Sequence, residues 1–208
     1  MPINREINTD YAEKLTRVIE KALAQYPRTL AVLVNTHLPN DSDSDIPASV
    51  NIQTEKLMSR FIDSLKAKIK AHIHRKERSD KRCHDTRVRY FWCREIGPKS
   101  GHPHYHMLIL VNKDTFHSLG RFHQEGSNLG SYIMEAWLSG LGISPDTVAD
   151  PERYTSLVHF PEHPLYYLTR DADSEAIYRA LQTRLEYIAK HYSKSYCRAV
   201  RSVGYSTY

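Results

Sequence analysis

The chain has 208 residues, of which 40% are hydrophobic and 25% are charged, and these proportions are typical of a folded globular protein with its own core. Its formal net charge of +5, with 12 histidines besides, favours a polyanionic partner such as a nucleic acid. No apolar stretch approaches the roughly 20 residues of a membrane-spanning helix, and the first residues contain no signal-peptide core, so no membrane partner is expected.

Hydrophobic spacing and turn residues predict nine elements in the order helix, strand, helix, strand, strand, helix, strand, strand, helix. A first helix starts near Asp10 and ends before Pro27, and the buried strand "TLAVLVN" follows it. A second helix carries apolar residues from Leu57 to Ile69 and continues into the basic segment 66–82. The three cysteines lack the spacing of a paired metal site and are expected to be reduced thiols.

Two consecutive strands, "RVRYFWCREI" and "YHMLILV", are joined by the turn "GPKSGHP" and form a predicted hairpin. A third helix starts near Asn128, the short strands "SLVHF" and "LYYLT" follow, and a last helix starts near Ser174. This order predicts an α+β fold in which helices pack on a mainly antiparallel sheet. We expect one domain over 1–208, in which residues 1–86 supply a helical part, the first strand and a basic helix.

The stretch "GHPHYHMLIL" places three histidines at the entry of an apolar strand. Because side chains alternate along a strand, His104 and His106 share one face and Tyr105 takes the other. With a tight turn, Glu95 lies opposite His104 and Cys93 opposite His106, which places Glu95 beside both imidazoles. Two neutral histidines and a carboxylate can hold a divalent cation and leave positions open for substrate oxygens.

Other arrangements of this site stay open at the level of sequence. A register slip of one residue would move Glu95 away, His102 can replace it as third ligand, and His159 or His163 can come from elsewhere in the fold. Iron oxygenases of the cupin kind use a similar set, but they carry an acidic ligand shortly after the histidines, where this chain has "MLILVN". The remaining alternative is that the histidines lie on an exposed strand face and bind nothing.

The last helix carries a tyrosine outside its apolar stripe. At about 100° per residue, that stripe consists of Ile177, Leu181, Leu185 and Ile188. Tyr187 lies on its flank, and Lys190 lies one turn further on the same side. A cation that polarises a phosphodiester and a phenol that attacks it together suffice to cut DNA. Tyr187 is therefore a candidate nucleophile, and Lys190 is a candidate to position the phosphate or stabilise the phenolate.

Basic residues predict the path of a nucleic acid. The residues expected to contact phosphates are Lys68, Arg75, Lys76, Arg184 and Lys194, and such contacts make binding strongly salt-dependent. Phe91 or Trp92 can stack on bases, although aromatic residues of a strand more often fill the core. A basic run can equally be the solvated face of a helix.

These motifs resemble a known family. "PHYHMLIL" resembles the histidine–hydrophobic–histidine motif of HUH endonucleases, and "LVHFPEHPLYYL" and "RLEYIAKHYSK" are similar to the inovirus replication-protein family, also known as the YagK/YfjJ C-terminal domain. The similarity covers roughly residues 87–205. It implies an RRM-like sheet with the histidine motif on a central strand, Mg²⁺ or Mn²⁺ at His104 and His106, and a nucleophilic tyrosine on a C-terminal helix. Tyr187 and Lys190 match the family's Tyr-x-x-Lys pattern.

The function that this resemblance implies is a site-specific, single-strand DNA nickase that initiates rolling-circle replication of a filamentous phage or related element. Its expected partners are single-stranded DNA at a replication origin or hairpin, and a helicase and polymerase of the bacterial host, in whose cytoplasm it would act. Tyr192 lacks the spacing of two-tyrosine initiators, so a single nucleophile is expected. Two other functions remain: a catalytically silent DNA-binding regulator derived from a phage replication protein, and a metal-dependent enzyme for small phosphodiesters without a tyrosine intermediate.

Overall fold

The structure of the protein, a computed structural model, describes residues 9–39, 54–97, 102–120, 128–143, 156–171, 175–188 and 201–207, without the side chains of residues 54, 55 and 186–188. The helices are α1 (Thr9–Gln25), α2 (Thr54–Arg78), α3 (Leu129–Leu141) and α4 (Glu175–Ile188). The strands are β1 (Arg28–His37), β2 (Arg89–Ile96), β3 (Pro103–Asn112), β4 (Val158–His159), β5 (Leu165–Thr169) and β6 (Val203–Tyr205). The nine predicted elements are confirmed in their predicted order, and β6 is an addition.

The six strands form one sheet in the order β4-β1-β3-β2-β6, and β5 pairs with β1 as well. Each pairing between the described strands is antiparallel. β3 is central, and its residues from Met107 to Asn112 are all buried, as expected of a strand that is paired on both edges and covered on both faces. The predicted α+β fold, with the histidine motif on a central strand, is confirmed.

Helices cover both faces of the sheet because alternate side chains of each strand project to opposite sides. On one side, which we call the α2–α3 face, Phe61 of α2 and Trp137 of α3 belong to one buried core. On the other, the α1–α4 face, Val18 of α1 and Leu181 and Leu185 of α4 belong to a second core. The sheet therefore separates two groups of functional candidates, according to the face on which each residue lies.

Aromatic residues of β2 fill these cores. Phe91 is 1% exposed in the core of the α1–α4 face, and Trp92 is 6% exposed in the core of the α2–α3 face. Neither ring is available to stack on a base, because each is enclosed between the sheet and the helices. The suggestion that one of them binds DNA bases is wrong, and the alternative of core packing is confirmed.

The apolar stripe of α4 is shorter than predicted. Leu181 and Leu185 are buried, but Ile177 is 37% exposed, and Tyr178 packs against the core in this part of the helix. Helical periodicity identifies residues that share a stripe, but it does not show where the contact surface beneath the helix ends. Ile177 lies in the first turn of α4 and is not among the described residues that form the core.

The short strand β6 pairs with the outer edge of β2. Gly204 lies against the indole ring of Trp92, and any side chain at this position would overlap the ring. Glycine is therefore required for β6 to lie flat on the sheet. A strand of three residues is too short for hydrophobic alternation to identify, so the sequence pattern does not reveal it.

Two observations bear on the expectations drawn from composition. Cys83 is a free cysteine, and Cys197 lies outside the described residues. Among the helices that the structure describes, none has both the length and the apolar character needed to cross a membrane.

Candidate metal centre

The β2–β3 hairpin has the predicted register. Glu95 pairs with His104, and Cys93 pairs with His106. Directly opposed residues of an antiparallel pair project to the same side of the sheet, so Glu95 and both histidines lie on the α1–α4 face. Tyr105 projects to the other face, where it is 1% exposed within the core. The backbone thus presents one carboxylate and two imidazoles together.

These three side chains converge. Oε2 of Glu95 lies 3.2 Å from Nε2 of His106 and 3.4 Å from Nε2 of His104, and the three potential ligand atoms all lie within 4.8 Å of one another. Ligands about 2.1 Å from a Mg²⁺ ion, at right angles to each other, are about 3 Å apart. The spacing therefore suits one small divalent cation.

Burial gives the cluster its electrostatic character. Glu95 is 6% exposed, whereas the imidazoles of His104 and His106 are 19% and 13% exposed, so that the histidines form the more accessible side. A carboxylate at such depth requires hydrogen-bond donors or positive charge to offset its lost hydration. A bound cation can supply such charge, and this set of donors suits Mg²⁺, Mn²⁺ or another borderline divalent ion.

Two further side chains reach the site from β1, and the sequence analysis did not identify them. Asn35 pairs with His106, and its Oδ1 lies 2.7 Å from Nδ1 of His106. If Nδ1–H donates to this oxygen, the lone pair of Nε2 faces Glu95. His37 pairs with His104, and the two rings stack with centroids 5.7 Å apart. The sequence does contain one signal for these two residues, because an Asn and a His occupy alternate positions where the apolar run of β1 ends.

The structure distinguishes between the third ligands that the sequence left open. His159 of β4 pairs with Asn35, which places it beside the site, and His163 lies in a loop with its side chain 85% exposed. Among the described residues, the only cluster of metal-ligating side chains consists of Glu95 and the two histidines of β3, without His102, His159 or His163. Partial desolvation lowers the pKa of His37, and the neighbouring imidazoles, His159 among them, lower it further.

The last helix lies on the same side of the sheet as this cluster. α4 carries Tyr187 near its C-terminal end, and it packs on the α1–α4 face. The side chain of Tyr187 is not described, and Lys190 and Lys194 lie outside the described residues. Arg184 is half-buried and donates from Nη2 to the backbone oxygen of Glu162, 3.0 Å away. The helix is thus on the correct side of the sheet for a nucleophile.

The other predicted phosphate contacts lie on α2, which covers the opposite face of the sheet. Nζ of Lys68 donates to Oε2 of Glu135 at 2.7 Å, and Nη2 of Arg75 donates to the hydroxyl of Tyr132 at 2.7 Å. Lys76 is half-buried on the same helix. The fold therefore does not bring these three cations to the metal centre, and two of them join α2 to α3.

Comparison with known proteins bears on this geometry. The family described as "YagK/YfjJ C-terminal domain" matches residues 3–206. This chain belongs to that family. "Uncharacterized protein YagK" of Escherichia coli (strain K12) is 36% identical over 200 residues, which cover 95% of this chain and 92% of that protein. "Uncharacterized protein YfjJ" of the same strain is 32% identical over 186 residues, 86% of this chain and 85% of that protein. No solved structure matches significantly.

The YagK/YfjJ family match covers more of the chain than the sequence motifs suggested. The resemblance was expected over residues 87–205, but the family match begins at residue 3 and includes α1, β1 and α2. The amphipathic helices and the apolar strand of this part have patterns that many proteins share, so they carried little recognisable signal. As a consequence, Asn35 and His37 lie within the YagK/YfjJ domain itself.

Proposed function

We propose that this YagK/YfjJ protein is a metal-dependent, site-specific endonuclease that nicks single-stranded DNA and initiates rolling-circle replication. The observation that carries the proposal is the convergence of Glu95, His104 and His106 on the face of the sheet that α4 also covers. The substrate is single-stranded DNA at an origin or hairpin in the bacterial cytoplasm. A helicase and a polymerase of the host then act on the nicked product.

In the proposed reaction, Glu95, His104 and His106 hold Mg²⁺ or Mn²⁺, which supplies a Lewis acid for the scissile phosphate. The phenol oxygen of Tyr187 attacks phosphorus in line. A bond forms between that oxygen and phosphorus while the bond from phosphorus to the 3′ oxygen of the preceding nucleotide breaks. Because a free phenol has a pKa near 10, the Tyr187 hydroxyl gives up its proton to solvent water as it attacks, and Lys190 stabilises the developing phenolate. The departing 3′ oxygen takes up a proton, which leaves a 5′-phosphotyrosine and a free 3′-hydroxyl.

A pool of single-stranded oligonucleotides of random sequence, labelled at the 3′ end, tests this proposal in the presence of Mn²⁺. Attack by tyrosine attaches the 3′ part of the strand to the protein, so a labelled protein band should survive denaturation. We expect this band to disappear with EDTA, in His106→Ala and in Tyr187→Phe. Tyr178→Phe is the matched control, because it removes a tyrosine hydroxyl from the same helix and should leave the adduct intact.

Two further results would distinguish the nickase from the two other functions. If the protein binds the oligonucleotides but forms no covalent adduct with either Mg²⁺ or Mn²⁺, the nickase is contradicted and a DNA-binding regulator is supported. Metal-dependent hydrolysis of a small phosphodiester, such as bis(4-nitrophenyl) phosphate, that continues in Tyr187→Phe would instead support an enzyme without a covalent intermediate.

A further inference from the structure

A groove of about 650 Å³ lies between α2 and one end of β2. Its apolar residues are Ile69 and Ile73 of α2 and Val88, which immediately precedes β2, and Tyr90 adds an aromatic ring. Binding sites for small molecules and cofactors have volumes of about 300–1,000 Å³ and are mainly apolar, with a few polar groups that orient the ligand. The groove has the size of such a site, and part of its lining is apolar.

The groove is separate from the metal centre. Val88 and Tyr90 contribute to the core of the α2–α3 face, whereas Glu95 projects to the α1–α4 face with the two histidines of β3. Glu95 lies five positions after Tyr90 on β2, a distance of about 17 Å along the strand. A ligand in the groove therefore does not compete with one at the metal centre, and the inference does not rest on the proposed nickase.

Three exposed cations line the groove, namely Lys66, Lys70 and Arg87. Lys66 and Lys70 are four residues apart on α2, so they project from the same side of the helix. Nζ of Lys66 lies 5.9 Å from the centroid of the Tyr90 ring, which places a positive charge beside a flat aromatic surface. None of the salt bridges among the described residues involves these three side chains, so their charges are available to an anion.

The charge changes sign along the groove, and this restricts the ligand. Glu77 and Asp85 also line it. Glu77 follows Lys70 by 7 residues and Lys66 by 11 residues, which correspond to about 10 and 16 Å along the helix. A polyanion laid along the whole groove would meet both carboxylates at close range. A ligand with phosphate at one end only can contact Lys66 and Lys70 without that repulsion.

We infer that the groove binds a nucleotide. Its phosphate lies at Lys66 and Lys70, and its base packs on the aliphatic residues of α2 and against Tyr90. This arrangement combines charge-assisted contacts to phosphate with contact between a base and an aromatic ring. The nucleotide has two possible sources, a free mononucleotide or the phosphorylated end of a single strand.

Titration calorimetry with dAMP, deoxyadenosine and inorganic phosphate tests the inference. We expect dAMP to bind, and the other two ligands to bind at least about tenfold more weakly because each retains only part of the contacts. Lys66→Glu and Lys70→Glu should each weaken dAMP binding about tenfold or more, since each replaces a charge-assisted contact with repulsion. Lys56→Glu is the matched control, because Lys56 is exposed on the same helix and is not among the residues that line the groove.

Competition between dAMP and a 5′-phosphorylated hexanucleotide identifies the source of the ligand. Displacement of dAMP by the phosphorylated hexamer, but not by its unphosphorylated form, indicates a strand end, and no displacement indicates a free nucleotide. His106→Ala should leave dAMP affinity unchanged, which separates this site from the metal centre. The inference is overturned if millimolar dAMP does not bind, or if it binds equally to the wild-type protein and both groove variants.

Discussion

Asn35 sets the orientation of the His106 imidazole. Its Oδ1 lies 2.7 Å from Nδ1 of His106, and a hydrogen bond donated by Nδ1–H leaves Nε2 as an acceptor. That Nε2 lies 3.2 Å from Oε2 of Glu95, so two acceptors face each other. Such a contact is favourable only when a cation or a proton lies between them. Asn35 therefore acts as a positioning residue for the proposed cation.

The Asn35 contact can be tested without a DNA substrate. Asn35→Leu, which removes the acceptor at similar size, should weaken Mn²⁺ binding about 10- to 100-fold, as is usual for the loss of a hydrogen bond to a metal-ligating histidine. Asn35→Asp keeps an acceptor for Nδ1–H and should retain the affinity. The measurement is Mn²⁺ titration by calorimetry, with circular dichroism as the check on folding. Equal affinities of the Leu and Asp variants would contradict the positioning role.

At the scale of elements, α2 and α3 are joined by a chain of polar contacts in which His72 and Tyr132 are buried. Nη2 of Arg75 donates to the hydroxyl of Tyr132 at 2.7 Å, and this hydroxyl lies 3.0 Å from Nδ1 of His72. When His72 is neutral, its Nδ1 can accept a hydrogen bond from this hydroxyl. Burial lowers the pKa of His72, and the charges of Lys76 and Arg75 lower it further. Arg75, expected from the sequence to contact phosphate, thus has a structural role.

The junction between α2 and α3 predicts a pH dependence of stability. Because the folded-state pKa of His72 lies below the value of about 6.5 for an unfolded histidine, the unfolded chain binds a proton that the folded protein does not. The stabilisation is therefore present above about pH 6.5 and is lost as the pH falls towards the folded-state pKa. Urea denaturation at pH 7.5 and pH 5.0 should show a smaller loss of unfolding free energy in His72→Gln than in the wild type.

His74→Gln is the control for the removal of an imidazole from α2, because His74 is exposed on the same helix. Its loss of stability between the two pH values should equal that of the wild type. If His72→Gln and His74→Gln change the pH dependence to the same extent, the junction is not the source of the effect.

For the whole molecule, the sheet separates the four predicted phosphate contacts that the structure describes into two groups. Arg184 belongs to α4, on the side of the metal centre, whereas Lys68, Arg75 and Lys76 belong to α2, on the opposite side. A short DNA strand at the candidate metal centre cannot contact both groups, because the sheet and a helix layer lie between them. A longer DNA strand reaches α2 only by passing around an edge of the sheet.

This separation predicts different effects for two charge reversals. The substrate is an octanucleotide that contains the cleavage site of a strand identified in the random pool. With this substrate, Arg184→Glu should reduce adduct formation. The slope of log affinity against log salt concentration should also fall by about 1. Lys76→Glu should leave both quantities at the wild-type values, and it serves as the matched control. Equal losses in the two variants would show that the strand also contacts α2.

Much of this architecture follows from local patterns in the sequence. The alternation in "PHYHMLIL" placed His104 and His106 on one face, and the short turn before it placed Glu95 opposite His104, because register in a hairpin depends on residues close together in the chain. The helices were recognisable because each repeats apolar residues at helical spacing. Tyr187 remains a prediction from the family pattern, with its helix on the required side of the sheet.

Only the tertiary structure decided what comes from distant parts of the chain. Asn35 meets His106 because β1 pairs with β3, 71 residues away, and no local pattern specifies that partner or its register. The charge of α2 was evident in the sequence, but the face that α2 covers depends on where its apolar stripe packs. For that reason the sequence alone identified the histidines and the carboxylate, whereas the fold determined how they are oriented and which basic residues lie on the same side of the sheet.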